Sequence, residues 1–456
     1  MQRPEERIAL QEIEAVIVIL FHIILLMVHY QAVRGTKDIL PVDAAMFQTL
    51  ESAALQLFER FGYSEIRTPT FESVELFQRS LGDTTDVVQK EMYVFEDRGG
   101  RKLALRPEGT AGVVRAFIEH HLSQSSPFCK LFYIGPMFRA ERPQAGRYRE
   151  FWQIGAETFG HAGPAADAEL LLLVHTLFQR FDLSELRLKI NSLGCAGCRP
   201  PYLKALIAFL QGRRATLCED CQHRLERNPL RVLDCKIDGP ALAEVPTIDT
   251  FWCADCRAHF EKVQELARQT RVPFEVVPRL VRGLDYYTRT VFEVTTTLLG
   301  AQDALAAGGR YDRLVKDLGG PDVPALGFAM GVERAIEAIR ATQTKQSLPV
   351  SQAPVKIFVA ALGDSSALEA YRLLQELRLS PELSQRQVLV EGGFFDKKLG
   401  AQLTLADRIG STHCLILGED ELRQGQVTLK SLKAGTQESL EKSRLIPHLL
   451  RLNAEK

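Results

Sequence analysis

Apolar residues recur at helical spacing through Met46, Leu50, Ala53, Ala54, Leu57 and Phe58, with Gly62 as a stop, which predicts a helix over 46–60. Residues 63–71 read as one strand passing through Thr68-Pro69, and 103–105 as a short one. Thr110 stands where it can cap a helix that carries Val113, Val114, Phe117 and Ile118. Segments 129–138 and 148–159 predict two antiparallel strands around an arginine-rich loop, and 165–181 is a strongly apolar helix. From 195 to about 272 the pattern becomes polar and helical in short pieces, as an inserted module would. Strand-like sequence returns at 274–277 and 291–297, followed by Gly308-Gly309, a pair that alone carries little information and could serve only a turn. A helix over 332–339 follows Gly331.

Residues 341–353 are polar, lack periodicity and end before Pro354, which makes them the best linker in the chain. Beyond them strands at 355–361, 387–390 and 414–417 alternate with helices at 367–377 and 399–409. That alternation predicts a small α/β domain with a partly parallel sheet.

The opening of the chain is different. Residues 15–28 are apolar except for His22. As a helix they would rise about 21 Å, short of a bilayer core about 30 Å thick. Arg3, Glu5, Glu6 and Arg7 give no net positive charge, and no small-x-small cleavage site follows before Gln31. An interfacial anchor and a partner-binding helix are alternatives. The expectation is that 1–30 is an apolar extension whose first twenty-six residues lie outside the native product, with Met27 as the start, and that the protein makes no stable membrane association.

A length of 456 residues fits two or three domains, and 46% hydrophobic with 25% charged residues excludes a mainly disordered or collagen-like chain. Lys+Arg 56 against Asp+Glu 57 gives −1, so no overall positive field marks a nucleic-acid partner, although a local basic groove stays open. Nine cysteines is an odd number, and seven of them lie in 195–272, mostly as C-x2-C pairs. That usage fits a reducing, cytoplasmic compartment better than a disulfide framework. Cys195-x2-Cys198 and Cys218-x2-Cys221 stand close to the spacing of a tetrahedral zinc site. Cys253-x2-Cys256 is a third pair and Cys235 lies between, so the choice of partners stays open, as does a metal-free module of reduced thiols.

The densest chemistry runs from Phe138-Arg139-Ala140-Glu141-Arg142-Pro143 through Gly146-Arg147-Tyr148-Arg149 to Phe151-Trp152-Gln153-Ile154-Gly155-Ala156-Glu157. Guanidinium forks match phosphate oxygens, and a carboxylate such as Glu141 can accept from an exocyclic amine. Phe151 offers a ring face on which a purine can stack. Gln153, Gly155 and Glu157 share one face of a strand by its period of two. A salt-bridged surface hairpin would use the same composition.

This stretch resembles motif 2 of the class II aminoacyl-tRNA synthetases, and further segments narrow the resemblance to the histidyl-tRNA synthetase family. Ala32-Val33-Arg34-Gly35-Thr36-Lys37-Asp38 with Leu40-Pro41 resembles the family's opening, and Phe61-Gly62-Tyr63 to Thr68-Pro69 its motif 1. Leu105-Arg106-Pro107-Glu108-Gly109-Thr110 is similar to the amino-group-binding loop. Two histidine signatures are resembled by Arg282-Gly283-Leu284-Asp285-Tyr286-Tyr287 through Glu293, and by Ala307-Gly308-Gly309-Arg310-Tyr311-Asp312. Gly327-Phe328-Ala329-Met330-Gly331-Val332-Glu333-Arg334 resembles motif 3. The C-terminal segments Asp396-Lys397-Lys398 and Leu415-Ile416-Leu417-Gly418 are similar to the family's anticodon-binding domain.

The resemblance implies an α+β fold: a class II antiparallel sheet flanked by helices, with the helical Cys-rich insertion and a C-terminal α/β anticodon-binding domain. It divides the chain into a catalytic domain over 31–345, interrupted at about 195–272, and an anticodon-binding domain over 354–456. It implies a homodimer and a histidine–tRNA ligase acting on L-histidine, ATP with Mg2+, and histidine tRNA. Arg282 and Arg139 are implied as the catalytic cations at the α-phosphate, beside the histidine. Glu141, Arg147, Phe151 and Arg334 would hold ATP. Glu108, Thr110 and Gln153 would hold the ammonium group, Glu157 and Tyr287 the two imidazole nitrogens, and Tyr311 would close the pocket. Tyr286 is included, although alternation along a strand would turn it toward the core. Zinc, if held by Cys195, Cys198, Cys218 and Cys221, would stabilise the insertion only. Two rivals are a catalytically silent regulatory subunit of ATP phosphoribosyltransferase and a zinc-dependent nucleic-acid-binding protein. The first typically lacks the last domain and the ATP-binding arginines; the second leaves the histidine signatures without a reason.

Overall fold

The computed structural model describes residues 30–452, apart from 83–84, 145, 182, 184, 243, 301–302, 347–354 and 387. The apolar extension expected over 1–30 lies outside the described residues except for residue 30, and the linker expected over 341–353 does so from 347 onward. No helix among the described residues is long and apolar enough to cross a membrane. Contacts divide the chain into two units, one up to Gln346 and one from Ser347.

Among the described residues the first unit holds eleven strands: β1 (Ser64–Glu65), β2 (Phe71–Ser73), β3 (Val94–Glu96), β4 (Lys102–Leu105), β5 (Cys129–Phe138), β6 (Glu150–Phe159), β7 (Leu186–Ser192), β8 (Glu275–Val276), β9 (Thr288–Thr296), β10 (Ala304–Arg310) and β11 (Ala325–Gly331). Eight of them form one sheet in the order β1-β5-β6-β11-β10-β9-β7-β8. The pairs from β5 to β7 along that order are antiparallel, and the two short edge strands β1 and β8 pair parallel. Helices Pro41–Arg60 and Pro164–Gln179 pack their apolar stripes on one face, burying Phe58, Leu171, Val174 and Phe178 with Phe132, Ile154 and Phe328. The other face carries helix Thr110–Glu119, whose Val113, Val114 and Phe117 meet Tyr133, Phe159 and Tyr311.

Several expectations need correction. The single strand over 63–71 is broken: Ser64–Glu65 and Phe71–Ser73 belong to different sheets, because Pro69 has no N–H for a ladder. Gly308 and Gly309 are no turn but lie inside β10, where a β-carbon on Gly308 would stand 2.3 Å from the Gly327 carbonyl oxygen. The helix after Gly331 runs on to Gln346, with Arg340 paired to Asp43 on helix Pro41–Arg60. Within 195–272 helices Arg199–Gln211 and Glu219–Arg227 enclose a separate core of Tyr202, Leu206, Leu210, Leu225 and Val232, whereas helix Ala254–Gln269 packs Phe260, Val263 and Ala267 into the core of the large sheet.

The second unit holds β12 (Lys356–Ala361), β13 (Leu389–Gly392), β14 (His413–Leu417), β15 (Gln426–Ser431) and β16 (Gln437–Glu441). Their order is β13-β12-β14-β15-β16, parallel through β14 and antiparallel beyond it. Helix Asp364–Leu379 and helix Leu445–Leu452 cover a core of Ile357, Val359, Leu374, Leu415, Val427 and Leu449.

Candidate active site

A cavity of ≈ 220 Å³ lies over β6, β10 and β11, beside the loop that leads into β9. Arg139, Arg147, Arg282 and Arg334 all line it, although they are spread over nearly two hundred positions. Each is anchored by part of its guanidinium. Arg139 donates from Nε to the Pro107 carbonyl (3.0 Å), and its guanidinium stands 5.4 Å from the centre of the Phe151 ring. Arg147 lies 2.8 Å from the Glu141 carboxylate, which also stands 3.8 Å from Arg139. Arg282 donates from Nη1 to Glu293 (2.6 Å). Arg334 donates to the Gly146 carbonyl (2.9 Å) and the Ala304 carbonyl (3.0 Å). A guanidinium carries five N–H donors, so each fork is oriented while keeping donors for an anion.

The same cavity is lined by Glu108, Thr110, Gln153, Tyr286, Tyr287 and Tyr311. Gln153 Oε1 is buried with no hydrogen-bond partner among the described residues, an acceptor left over in the cavity wall. Burial pushes the Tyr287 phenol up to about 12, with Arg282 pulling it down, so it is a donor at neutral pH. Glu108 is buried too, and its two oxygens accept the N–H groups of Thr110 and Ala111, each at 2.8 Å. Glu108 therefore closes the first turn of helix Thr110–Glu119, and Thr110 does not cap it. Thr110 is the first helical residue, and its hydroxyl donates instead to Glu157 (2.7 Å).

Glu157 stands one layer behind the cavity wall. It is fully buried, with the Thr110 hydroxyl on Oε1 and the Tyr311 hydroxyl on Oε2. The register pairs Glu157 with Gly327, where an added β-carbon would stand 1.7 Å from Oε2. Only a glycine leaves room for that carboxyl. Burial pushes the Glu157 carboxyl up to about 8, against the pull of the Tyr311 and Thr110 hydroxyls.

The structure brings together Arg139, Glu141, Arg147, Phe151 and Arg334, expected at the nucleotide, with Glu108, Thr110, Gln153, Arg282, Tyr286, Tyr287 and Tyr311. Tyr286 is a correction. It precedes β9, so alternation does not apply, and its ring lies 4.6 Å from Tyr287 and 5.5 Å from Tyr311. Glu157, expected at the imidazole, reaches the cavity through Thr110 and Tyr311. Sequence reasoning missed Glu293, which orients Arg282, and Glu333, whose carboxylate accepts the Trp152 N–H at 3.0 Å behind motif 2. The period of two along β9 puts Glu293 on the face of Val291, but nothing local signals its partner.

The four cysteines expected to share one metal do not. Cys195 and Cys198 join Cys253 and Cys256, while Cys218 and Cys221 join Cys235 and Asp238. Chain spacing favoured neighbouring pairs, and the fold of the insertion crosses them over.

Comparison with known proteins agrees with this geometry. A family model described as histidyl-tRNA synthetase matches residues 35–335, and one described as an anticodon-binding domain matches residues 356–452. A protein of Desulfosudis oleivorans named histidine–tRNA ligase is 49% identical over 90% of this chain and 95% of its own length. One from Aquifex aeolicus with the same name is 47% identical, over 91% and 99%. The structure of apo S. aureus histidyl-tRNA synthetase superposes with a TM-score of 0.76 at 33% identity, over 92% of this chain and all of that one. A structure described as an ATP phosphoribosyltransferase regulatory subunit/histidyl-tRNA synthetase from Bacillus halodurans matches at 20% identity and a TM-score of 0.63, which speaks to the fold alone. With arginines from three distant motifs on one cavity and a family match across most of its length, the chain belongs to the histidyl-tRNA synthetase family.

Proposed function

We propose that the arginine side of the cavity holds ATP and the tyrosine side holds histidine, the two meeting at the α-phosphate. The activity is that of a histidine–tRNA ligase: histidine and ATP give histidyl-adenylate and pyrophosphate, and the acyl group passes to the 3′ end of histidine tRNA. In the first step the histidine carboxylate attacks the α-phosphorus, and negative charge builds on the phosphoryl oxygens. Fixed cations that need not reorganise are the main requirement there. Arg282, set by Glu293, and Arg139, set by the Pro107 carbonyl, meet it. Phe151 and Arg334 would hold the adenine between them, with Glu141 and Arg147 toward the nucleotide. Glu141 and Glu333 are the carboxylates on that side, the donor type a hard oxygen-seeking cation takes. Magnesium would supply charge neutralisation on the outer phosphates.

The ammonium group would be taken by Glu108, Thr110 and the unpartnered Gln153 Oε1. Tyr287 and Tyr311 would face the imidazole, Tyr286 would wall it, and Glu157 would position the Thr110 and Tyr311 hydroxyls from behind. A pocket of paired polar groups rejects analogues that leave them unpaired. We read 31–345 as the catalytic domain, 354–456 as the domain that meets the anticodon, the cytoplasm as the location, and a homodimer as the working state. Exposed Phe71, Val94 and Phe95 on the small sheet beside motif 1 support a second copy, and a solution mass near twice 51.1 kDa would check it.

The observation that carries this reading is the shared cavity of Arg139, Arg282 and Arg334 next to Tyr287 and Tyr311. Charging of histidine tRNA with labelled histidine tests it. Acid-precipitable label that depends on ATP and on that tRNA is expected; label absent under conditions that charge with a control synthetase would refute it.

A further inference from the structure

Seven cysteines and one aspartate of the insertion gather in two four-ligand clusters, and neither belongs to the active site. In the first, Cys195 and Cys198 sit at the start of helix Arg199–Gln211, and Cys253 and Cys256 at the start of helix Ala254–Gln269. Cys195 Sγ lies 3.6 Å from Cys198 Sγ and 4.0 Å from Cys253 Sγ. In the second, Cys218 and Cys221 open helix Glu219–Arg227 and face Cys235 and Asp238, with Cys218 Sγ 3.9 Å from Cys235 Sγ. All four ligand atoms of each cluster lie within 4.8 Å of one another. Zinc–sulfur bonds of about 2.3 Å in a tetrahedron separate the sulfurs by roughly 3.8 Å, which is this spacing and far from a disulfide bond of about 2.05 Å.

The surroundings are those of a metal centre. The Cys253 N–H donates to Cys198 Sγ (3.2 Å), and the Asp238 N–H to Cys235 Sγ (3.5 Å). Such donors stabilise thiolates that bind a cation. Cys198, Cys221, Cys235, Cys256 and Asp238 are buried; the Asp238 carboxylate accepts the Cys218 N–H (3.0 Å), and a shared cation would balance thiolates and a carboxylate held this close together. Thiolate-rich tetrahedra select zinc over hard cations.

Beside each cluster stand side chains that clamp the segment carrying Arg282 and Tyr287. Arg199, next to Cys198, donates to the Tyr287 carbonyl (2.5 Å). Between Cys221 and Cys235, Arg231 donates to the Gly283 carbonyl (2.8 Å) and Asn228 to the Asp285 carboxylate (2.6 Å).

We propose that the insertion binds two structural zinc ions, one in Cys195/Cys198/Cys253/Cys256 and one in Cys218/Cys221/Cys235/Asp238, which fix the loop of Arg282 and Tyr287 from both sides. The metal count stands apart from the catalytic reading; only the link to the loop of Arg282 and Tyr287 rests on it.

The test is metal content of the full chain, expressed in zinc-supplemented medium and purified without chelator. Two zinc ions per chain are expected, with Cys256→Ser and Cys221→Ser each losing one. Cobalt introduced during expression should give intense visible d–d bands of tetrahedral thiolate sites, with the bands of one site lost in each variant. If a variant does not fold, the wild-type count and cobalt spectrum decide alone. Wild-type protein with less than one zinc per chain, bound iron in its place, or cobalt spectra of octahedral oxygen sites would overturn the proposal.

Discussion

Glu157 shows how much one side chain is asked to do. Its two oxygens set the hydroxyls of Thr110 and Tyr311, and among the described residues its hydrogen-bond partners are these neutral hydroxyls and not a cation. Burial pushes its carboxyl up to about 8 from an ordinary value near 4.5. The folded state therefore holds this proton more tightly than the unfolded chain does. The stability this contributes is fully present below about pH 4.5 and is lost as pH rises through about 8. Glu157→Gln cannot ionise, so its stability relative to wild type should improve between pH 5 and pH 8.5. Denaturation midpoints of both proteins at those two values check this. An unchanged difference would mean that the carboxyl is not held neutral. None of this was legible in the sequence beyond the shared face of Gln153, Gly155 and Glu157, because desolvation depends on Gly327 and Tyr311 from other strands.

At the scale of elements, β10 ends in a register shift between Gly309 and Arg310, and Gly309 has φ +154°. The irregularity accompanies an Arg310 side chain that is fully buried in the core. There it meets Asp167 through two nitrogens, the Asp312 carboxylate (3.0 Å) and the His161 carbonyl (2.8 Å). Despite its burial, Asp167 is held below the usual carboxylate range by His259 and Arg310. His259 comes from helix Ala254–Gln269 of the insertion, with Nε2 3.3 Å from Asp167. Asp167→Ala would leave the buried Arg310 guanidinium with the Asp312 carboxylate alone and remove the Asp167 bonds to two of its nitrogens, so it should cost about 3 kcal/mol of folding stability. A loss below about 1 kcal/mol in denaturant titration would show that the network is not holding the element. The long apolar elements around this network were legible: β5 and helix Pro164–Gln179 lie within two residues of their expected edges. The hairpin β15–β16 was not, because Gln437–Glu441 is an exposed edge with no alternating apolar face. The crossing of cysteine pairs was not legible either, since spacing along the chain records nothing of which helices meet.

At the scale of the molecule, the order of motifs carried the reading further than any composition did. A net charge of −1 says nothing of a cavity lined by four arginines, because those cations are balanced by carboxylates such as Glu141 and Glu293. The unit from Ser347 onward has a hydrophobic core of its own. A chain ending at Gln346 should therefore keep histidine-dependent ATP–pyrophosphate exchange while its charging of histidine tRNA falls by an order of magnitude or more. Equal loss of both activities in a folded truncation would contradict that division. The most direct test of the central claim, that separated guanidinium groups converge on one nucleotide beside histidine, is exchange in wild type and Arg282→Ala. Wild type should exchange pyrophosphate into ATP only when histidine is present. The folded variant should lose about 10²–10³ in kcat with a much smaller change in KM for histidine. Exchange by Arg282→Ala within a few-fold of wild type would contradict the account.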